Sequence, residues 1–227
     1  MPNEVLWIIF ILVDLSLSVL AFYLWGKGGV YIMIAVATVI CNIQVLKTVK
    51  MFGLVATLGN VVYASIFFNT DILSEIYGKK TARRAVWMGF FALISATVAM
   101  QFAIRFKPDT SDFIQPHLQA IFELMPRVVF ASICAYLVSQ HHDVWAFHFW
   151  RNLTRGRWLW LRNNLSTMVS QLIDTTVFTF LAFWQVFPWS VFWQIFITTY
   201  IFKWIIAALD TPFLYLARFL HQKKLKG

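Results

Sequence analysis

The sequence predicts an all-α polytopic membrane protein, and three observations lead there. Of its 227 residues, 60% are apolar and only 13% are charged, about half the charge of a soluble domain. The mean hydropathy is +0.69. The apolar residues come in continuous runs near the ~20 residues that cross a ~30 Å hydrocarbon layer, without the alternation of a membrane barrel. A globule of this size has too little interior for so much apolar surface, which excludes a water-soluble enzyme. Low charge with 18% aromatics excludes a disordered chain, and two cysteines exclude a disulfide-built secreted fold.

The runs give about seven candidate transmembrane helices. Residues 5–25 are long enough to span, and Glu4 stands where a signal peptide would carry basic residues. Residues 30–46, 54–70 and 126–140 are short for a crossing, whereas 85–106 and 165–187 are ample. Residues 191–220 are long and contain Pro212, which predicts a kink or a tilt. No soluble domain fits between the runs. The expectation is one transmembrane domain over 1–227: an extra helix at 5–25, a core of about 30–220, and a basic tail at 218–227.

Lys and Arg set the orientation. Lys79, Lys80, Arg83 and Arg84 follow the third run, Arg151, Arg155, Arg157 and Arg162 follow the fifth, and Arg218, Lys223, Lys224 and Lys226 close the chain. The alternate connections hold fewer. This predicts an N-terminus outside and a C-terminus in the cytoplasm of a multi-pass plasma-membrane protein. The net charge of +9 then faces anionic lipid headgroups, and no nucleic-acid partner is expected. The stretch WRNLTRGRWLWLR at 150–162 reads as an interfacial Trp belt with Arg anchors.

Ionisable groups at bilayer depth cost ~2.5–3.5 kcal/mol on translocon scales, so each is a candidate site. At ~1.5 Å per residue, Asp14 lies ~14 Å into its span. Asn42, Asp174 and Lys203 fall near the same depth, while Asp71, Glu75 and Asp210 lie nearer the cytoplasmic side, as does the Arg162-Asn163-Asn164 turn. Asp71 and Glu75 share a helical face. Thr167, Gln171 and Asp174 form one stripe, and Thr199, Lys203 and Asp210 another. Aromatics crowd between them, which describes a midplane pocket for a flat, polar ligand. Structural readings compete: Asp174 with Lys203 as a buried register pair, Asp71 and Glu75 paired with nearby cations, and Asp14 packing with Ser16 and Ser18 on a neighbouring helix.

There is no HExxH, no GxSxG and no phosphate loop, so neither catalysis nor nucleotide hydrolysis is expected. Cys41 and Cys134 lack metal spacing. His141, His142 and Asp143 with His148 form no complete ligand set, and no metal or cofactor is expected.

Several stretches together resemble one family. They are CNIQVLKTVKMFG (41–53), FFNTDILSEIYGKKTARRAV (67–86), LWLRNNLSTMVSQLIDT (159–175) and ALDTPFLYL (208–216), with ASICAYLVSQHHD (131–143) as a weaker fifth. They resemble the bacterial queuosine precursor transporters, also called the vitamin uptake transporter family. The resemblance covers nearly all of the chain after residue 40 and none of the first span. It implies import of 7-cyano-7-deazaguanine, 7-aminomethyl-7-deazaguanine and, in some relatives, queuine, for salvage into tRNA queuosine. It also implies a six-helix core like the membrane-embedded substrate-binding subunits of vitamin importers, with one extra N-terminal helix. The alternative is a binding subunit that needs a separate energising complex.

The residues fit such a cargo. A guanine-like edge offers two adjacent donors that one carboxylate accepts as a fork. Asp71, Glu75, Asp174 and Asp210 are the candidate acceptors, with Asp174 favoured for its depth and its neighbour Gln171. Asn42, Gln171, Asn163 and Lys203 are candidate donors for the carbonyl side, and Arg162 and Thr167 complete the expected binding set. An aromatic ring would stack on the base, worth ~1–3 kcal/mol. Expected partners are the 7-deazaguanine, membrane lipids and a second copy in a homodimer. A proton on a buried carboxylate is one route to coupling.

Overall fold

The structure, a computed structural model, describes residues 1–153 and 159–226, with the backbone alone at 140, 143–148, 150–153, 159–167, 207–208, 211 and 224–226. Helices α1 (Asn3–Trp25) and α2 (Lys27–Gln44) are followed by a hairpin of β1 (Thr48–Met51) and β2 (Leu54–Thr57). Then come α3 (Asn60–Tyr77), α4 (Lys79–Ala103), the short α5 (Gln115–Phe122), α6 (Met125–Leu153), α7 (Leu159–Phe183) and α8 (Trp189–Lys226). The chain divides into two compact units, Met1–Met125 with Ile201–Gly227, and Pro126–Tyr200.

In the first unit α1 shows why the apolar runs become spans. Trp7, Ile11, Leu15, Val19 and Phe22 are buried at helical spacing, and Ile8, Leu12, Val13, Leu17 and Leu20 on the other side are exposed. In water that second face would be an aggregation surface; in a bilayer it meets acyl chains while every backbone group stays bonded within the helix. Phe202, Ile206 and Ala217 of α8 join the same core as Phe68, Ile72 and Leu73 of α3. Gly26 joins α1 to α2 alone: its φ of +57 ends the first helix in a conformation that costs any other residue.

The unit has two distinct ends. At one, Trp7 Nε1 donates to Asn60 Oδ1 at 3.3 Å, and the Phe52 ring meets Trp7 and Phe202 edge-on. At the other, His221 lies against Phe22 and Tyr77, and Arg218 pairs with Glu75 at 3.2 Å. This second end also holds the α1–α2 and α3–α4 turns, and with them Lys27, Lys79 and Lys80.

In the second unit the turn between α7 and α8 is packed with rings. Trp184 meets Trp189 at 5.1 Å, Trp189 stacks on Trp193 at 6.3 Å, and Phe180 meets Phe192 at 5.0 Å. Such crowding suits a membrane–water boundary, where large amphipathic rings are favoured.

The fold is that of an all-α membrane protein, and a helix overlaps each of the expected apolar runs. Four stretches are long and apolar enough to cross: Asn3–Trp25, Lys27–Gln44, Lys79–Ala103 and Gln115–Ser139, among the described residues. Three boundaries moved. The expected third span at 54–70 begins as a strand, because the β-branched residues of 48–57 pair across a two-residue turn in which Phe52 and Gly53 both take positive φ; the helix starts at Asn60 instead. The fifth continues to Leu153, well past the apolar window at 126–140, since helical hydrogen bonding does not stop where hydropathy does. The last extends over Trp189–Lys226 with Pro212 inside it, where the ring removes one backbone donor. The Trp–Arg stretch at 150–162 lies outside the residues whose side chains are described.

Candidate functional site

The expected site residues fall into two groups, one in each unit. Asn42, Asp71, Glu75, Lys203 and Asp210 belong to the first, and Gln171 and Asp174 to the second. Arg162, Asn163 and Thr167 lie on α7, but their side chains are outside the described residues, as are those of Asp143 and His148.

In the first unit, α3 and α8 bring two carboxylates together. Asp71 is close enough to Asp210 to act on it as a neighbouring like charge. One turn along α3, Glu75 holds Arg218 of α8 at 3.2 Å, both side chains about half exposed. Lys203 is buried, with Nζ 4.7 Å from the centre of the Tyr63 ring, a cation–π contact that offsets part of its desolvation. Asn42 is buried on α2, where Nδ2 donates to Thr38 O at 2.7 Å.

In the second unit, α6 and α7 build the other group. Asp174 is buried, and its Oδ1 accepts from Ser139 Oγ at 3.5 Å. One turn earlier on α7, Ser170 bonds the His142 ring at 3.1 Å. Between them Gln171 Oε1 is buried with no hydrogen-bond partner, as is Thr179 Oγ1 further along the helix. Unmet buried polar atoms cost ~1–3 kcal/mol each. The helix is held by Arg127, whose Nε and Nη2 donate to Leu181 O and Trp184 O, each at 2.7 Å.

The residue patterning missed Ser139 and Tyr63, which touch Asp174 and Lys203 from other helices, and the His142–Ser170 pair beside them. Polar side chains within apolar runs were the available signal for Ser139 and Ser170; Tyr63 gave none, since a ring in an apolar run is ordinary. It also missed Asn69, which bonds Ser18 and Ser65. Among the described residues no cluster of His, Cys, Asp and Glu is suited to a metal ion.

Residues 57–217 match the family described as "Putative vitamin uptake transporter". The chain is 44% identical over 219 residues to a "Probable queuosine precursor transporter" of Bacillus subtilis (strain 168), covering 96% of each protein. It is 31% identical over 150 residues to the "Queuosine precursor transporter" of Escherichia coli (strain K12), covering 63% of this chain and 62% of that one. A similar protein of Haemophilus influenzae is 29% identical over 137 residues, 59% of this chain and 54% of its own. No solved structure matches. With two polar, membrane-embedded groups and a relative matched nearly end to end, this chain belongs to the vitamin uptake transporter family, a family of transporters and not of enzymes.

Proposed function

We propose that this chain imports queuosine precursors across the bacterial plasma membrane. Its cargo is 7-cyano-7-deazaguanine and 7-aminomethyl-7-deazaguanine, with queuine as a further candidate, and their destination is queuosine in tRNA. The observation that carries this reading is the identity of 44% over 96% of both chains with a protein of that name. The chemistry of α7 supports it. Asp174 is the forked acceptor for the ring amide and exocyclic amine, and Gln171 stands one turn away to complete the polar edge. Asp71 and Asp210 form a second acidic group in the other unit, and Asn42, Glu75, Lys203, Arg162, Asn163 and Thr167 complete the proposed binding set.

The protein works as one membrane domain with its N-terminus outside. The end of the first unit that holds the two tight turns and the C-terminal half of α8 carries Lys27, Lys79, Lys80 and Arg218, which favours the cytoplasmic side by the positive-inside rule.

The test is uptake of radiolabelled 7-aminomethyl-7-deazaguanine by liposomes that contain only the purified chain. Wild type accumulates the base and Asp174→Asn does not, at equal incorporation. Wild-type uptake by Asp174→Asn removes that residue from the site. If the base stabilises the purified protein yet never enters the liposomes, the chain is instead a binding subunit that needs an energising complex.

A further inference from the structure

Two polar pairs face each other where α1 packs on α3. Asp14 and Ser18 are one turn apart on α1; Ser65 and Asn69 are one turn apart on α3. Asp14 is 9% exposed, and the other three are fully buried. Asn69 Nδ2 donates to Ser18 Oγ at 2.9 Å and to Ser65 O at 2.8 Å. Because a carbonyl accepts from that nitrogen, the amide cannot be turned over without setting oxygen against oxygen. Its other end, Oδ1, is buried and has no hydrogen-bond partner.

Asp14 is in the same position. Its hydrogen-bonding neighbour is the Ser65 side chain, but Ser65 Oγ directs its proton to Val62 O at 2.9 Å. Asp14 Oδ2 is buried with no hydrogen-bond partner. Two acceptor oxygens from facing helices, one of them on a carboxylate, thus lie within one small polar cluster at membrane depth. Two buried acceptor oxygens without partners are expensive in low dielectric unless a proton or a positive charge joins them.

We propose that α1 and α3 bind a sodium ion here, with Asp14 and Asn69 as its side-chain ligands and the Ser18 and Ser65 hydroxyls beside it. The acceptor atoms these four side chains present are all oxygens, with no thiolate or imidazole among them, which suits a hard cation and not a transition metal. A single carboxylate balances a single positive charge. A divalent ion would leave one charge uncompensated inside the bilayer, and such ions take several carboxylates or keep their water. The ion ties the first helix, which precedes the family match at residue 57, to a helix within it. That it drives cargo import rests on the transport reading above; that it binds does not.

The test is thermal unfolding of the purified full-length protein, without cargo, in sodium, potassium or choline chloride at equal ionic strength. At ~100 times its dissociation constant, sodium should raise the midpoint by about 5–10 °C over choline. Asp14→Asn and Asn69→Ala should each abolish that difference, and Ser16→Ala, on the exposed side of α1, should keep it. Equal midpoints in the three salts overturn the proposal and leave Asp14 holding a proton. A sodium response that survives in both cluster variants also overturns it. Should those variants fail to fold, sodium-22 binding to wild type decides: about one displaceable ion per chain supports the site, and none refutes it. Sodium binding without any cargo uptake would instead sink the transport reading alone.

Discussion

Arg127 Nη2 donates to Trp184 O at 2.7 Å, so a cation from the start of α6 closes the last turn of α7. Its Nε does the same for Leu181 O. The final carbonyls of a helix have no partners of their own, and the negative end of the helix dipole favours a cation there. Arg127→Gln should therefore cost about 1–3 kcal/mol and lower the thermal midpoint, with Arg127→Lys recovering part of the loss. Because α7 carries the proposed cargo contacts Asp174 and Gln171, cargo affinity should fall along with it.

Helices α2 and α4 approach closely at Gly89. A Cβ there would lie 2.7 Å from Thr38 Oγ1 and 3.2 Å from Ile34 Cγ2. Thr38 cannot simply swing away, since its hydroxyl donates to Ile34 O at 2.7 Å and its branched side chain is stiff. Gly89→Val should destabilise the protein by about 1–3 kcal/mol. Combining Gly89→Ala with Thr38→Ala should cost less than the sum of the two single changes, as read by thermal unfolding in a double-mutant cycle.

Phe52 sits at the tip of the hairpin with its ring edge-on to Trp7 and Phe202, and Glu4 Oε1 accepts its backbone N–H at 2.8 Å. Phe52→Ala should cost about 1–2 kcal/mol through the lost aromatic pairs. Phe52→Asn should cost less than Phe52→Ala, because Asn followed by Gly53 is the residue pair this left-handed turn prefers. Comparing the unfolding midpoints of the two variants checks the order.

That hairpin also shows where sequence reasoning stopped. Runs near 20 residues were visible because burial in lipid demands them, so α1, α2 and α4 were legible. At 48–57 the alternation of Val49 and Met51 with Thr48 and Lys50 signals a strand, yet Leu54 to Thr57 reads on smoothly into the apolar stretch of α3. Hydropathy does not distinguish strand from helix over so few residues. The candidate site was legible one helix at a time. The Gln171–Asp174 stripe follows from helical period, but that Ser139 reaches Asp174, or that Asn69 reaches Ser18, depends on which helices pack together. No pattern within one run encodes it.

Asp71 on α3 is a like charge beside Asp210 on α8, and a like-charged pair inside a membrane protein is more easily explained by function than by stability. The two readings of Asp71 predict opposite outcomes for Asp71→Asn. If the carboxylate only caps its helix or pairs with a nearby cation, removing its charge should lower the midpoint and reduce uptake merely in proportion to folded protein. If it receives cargo, losing the repulsion should leave stability unchanged or raise it by up to ~1 kcal/mol, while uptake per folded molecule falls at least tenfold. We expect the second result, with Asp71→Glu retaining more uptake than Asp71→Asn because it keeps an acceptor on the same face. Glu75→Gln is the internal comparison: its half-exposed pair with Arg218 is worth no more than ~1 kcal/mol. Any large fall in uptake there must come from lost contact with the base. Liposome uptake normalised to the folded fraction, measured beside the unfolding midpoint of each variant, separates the two.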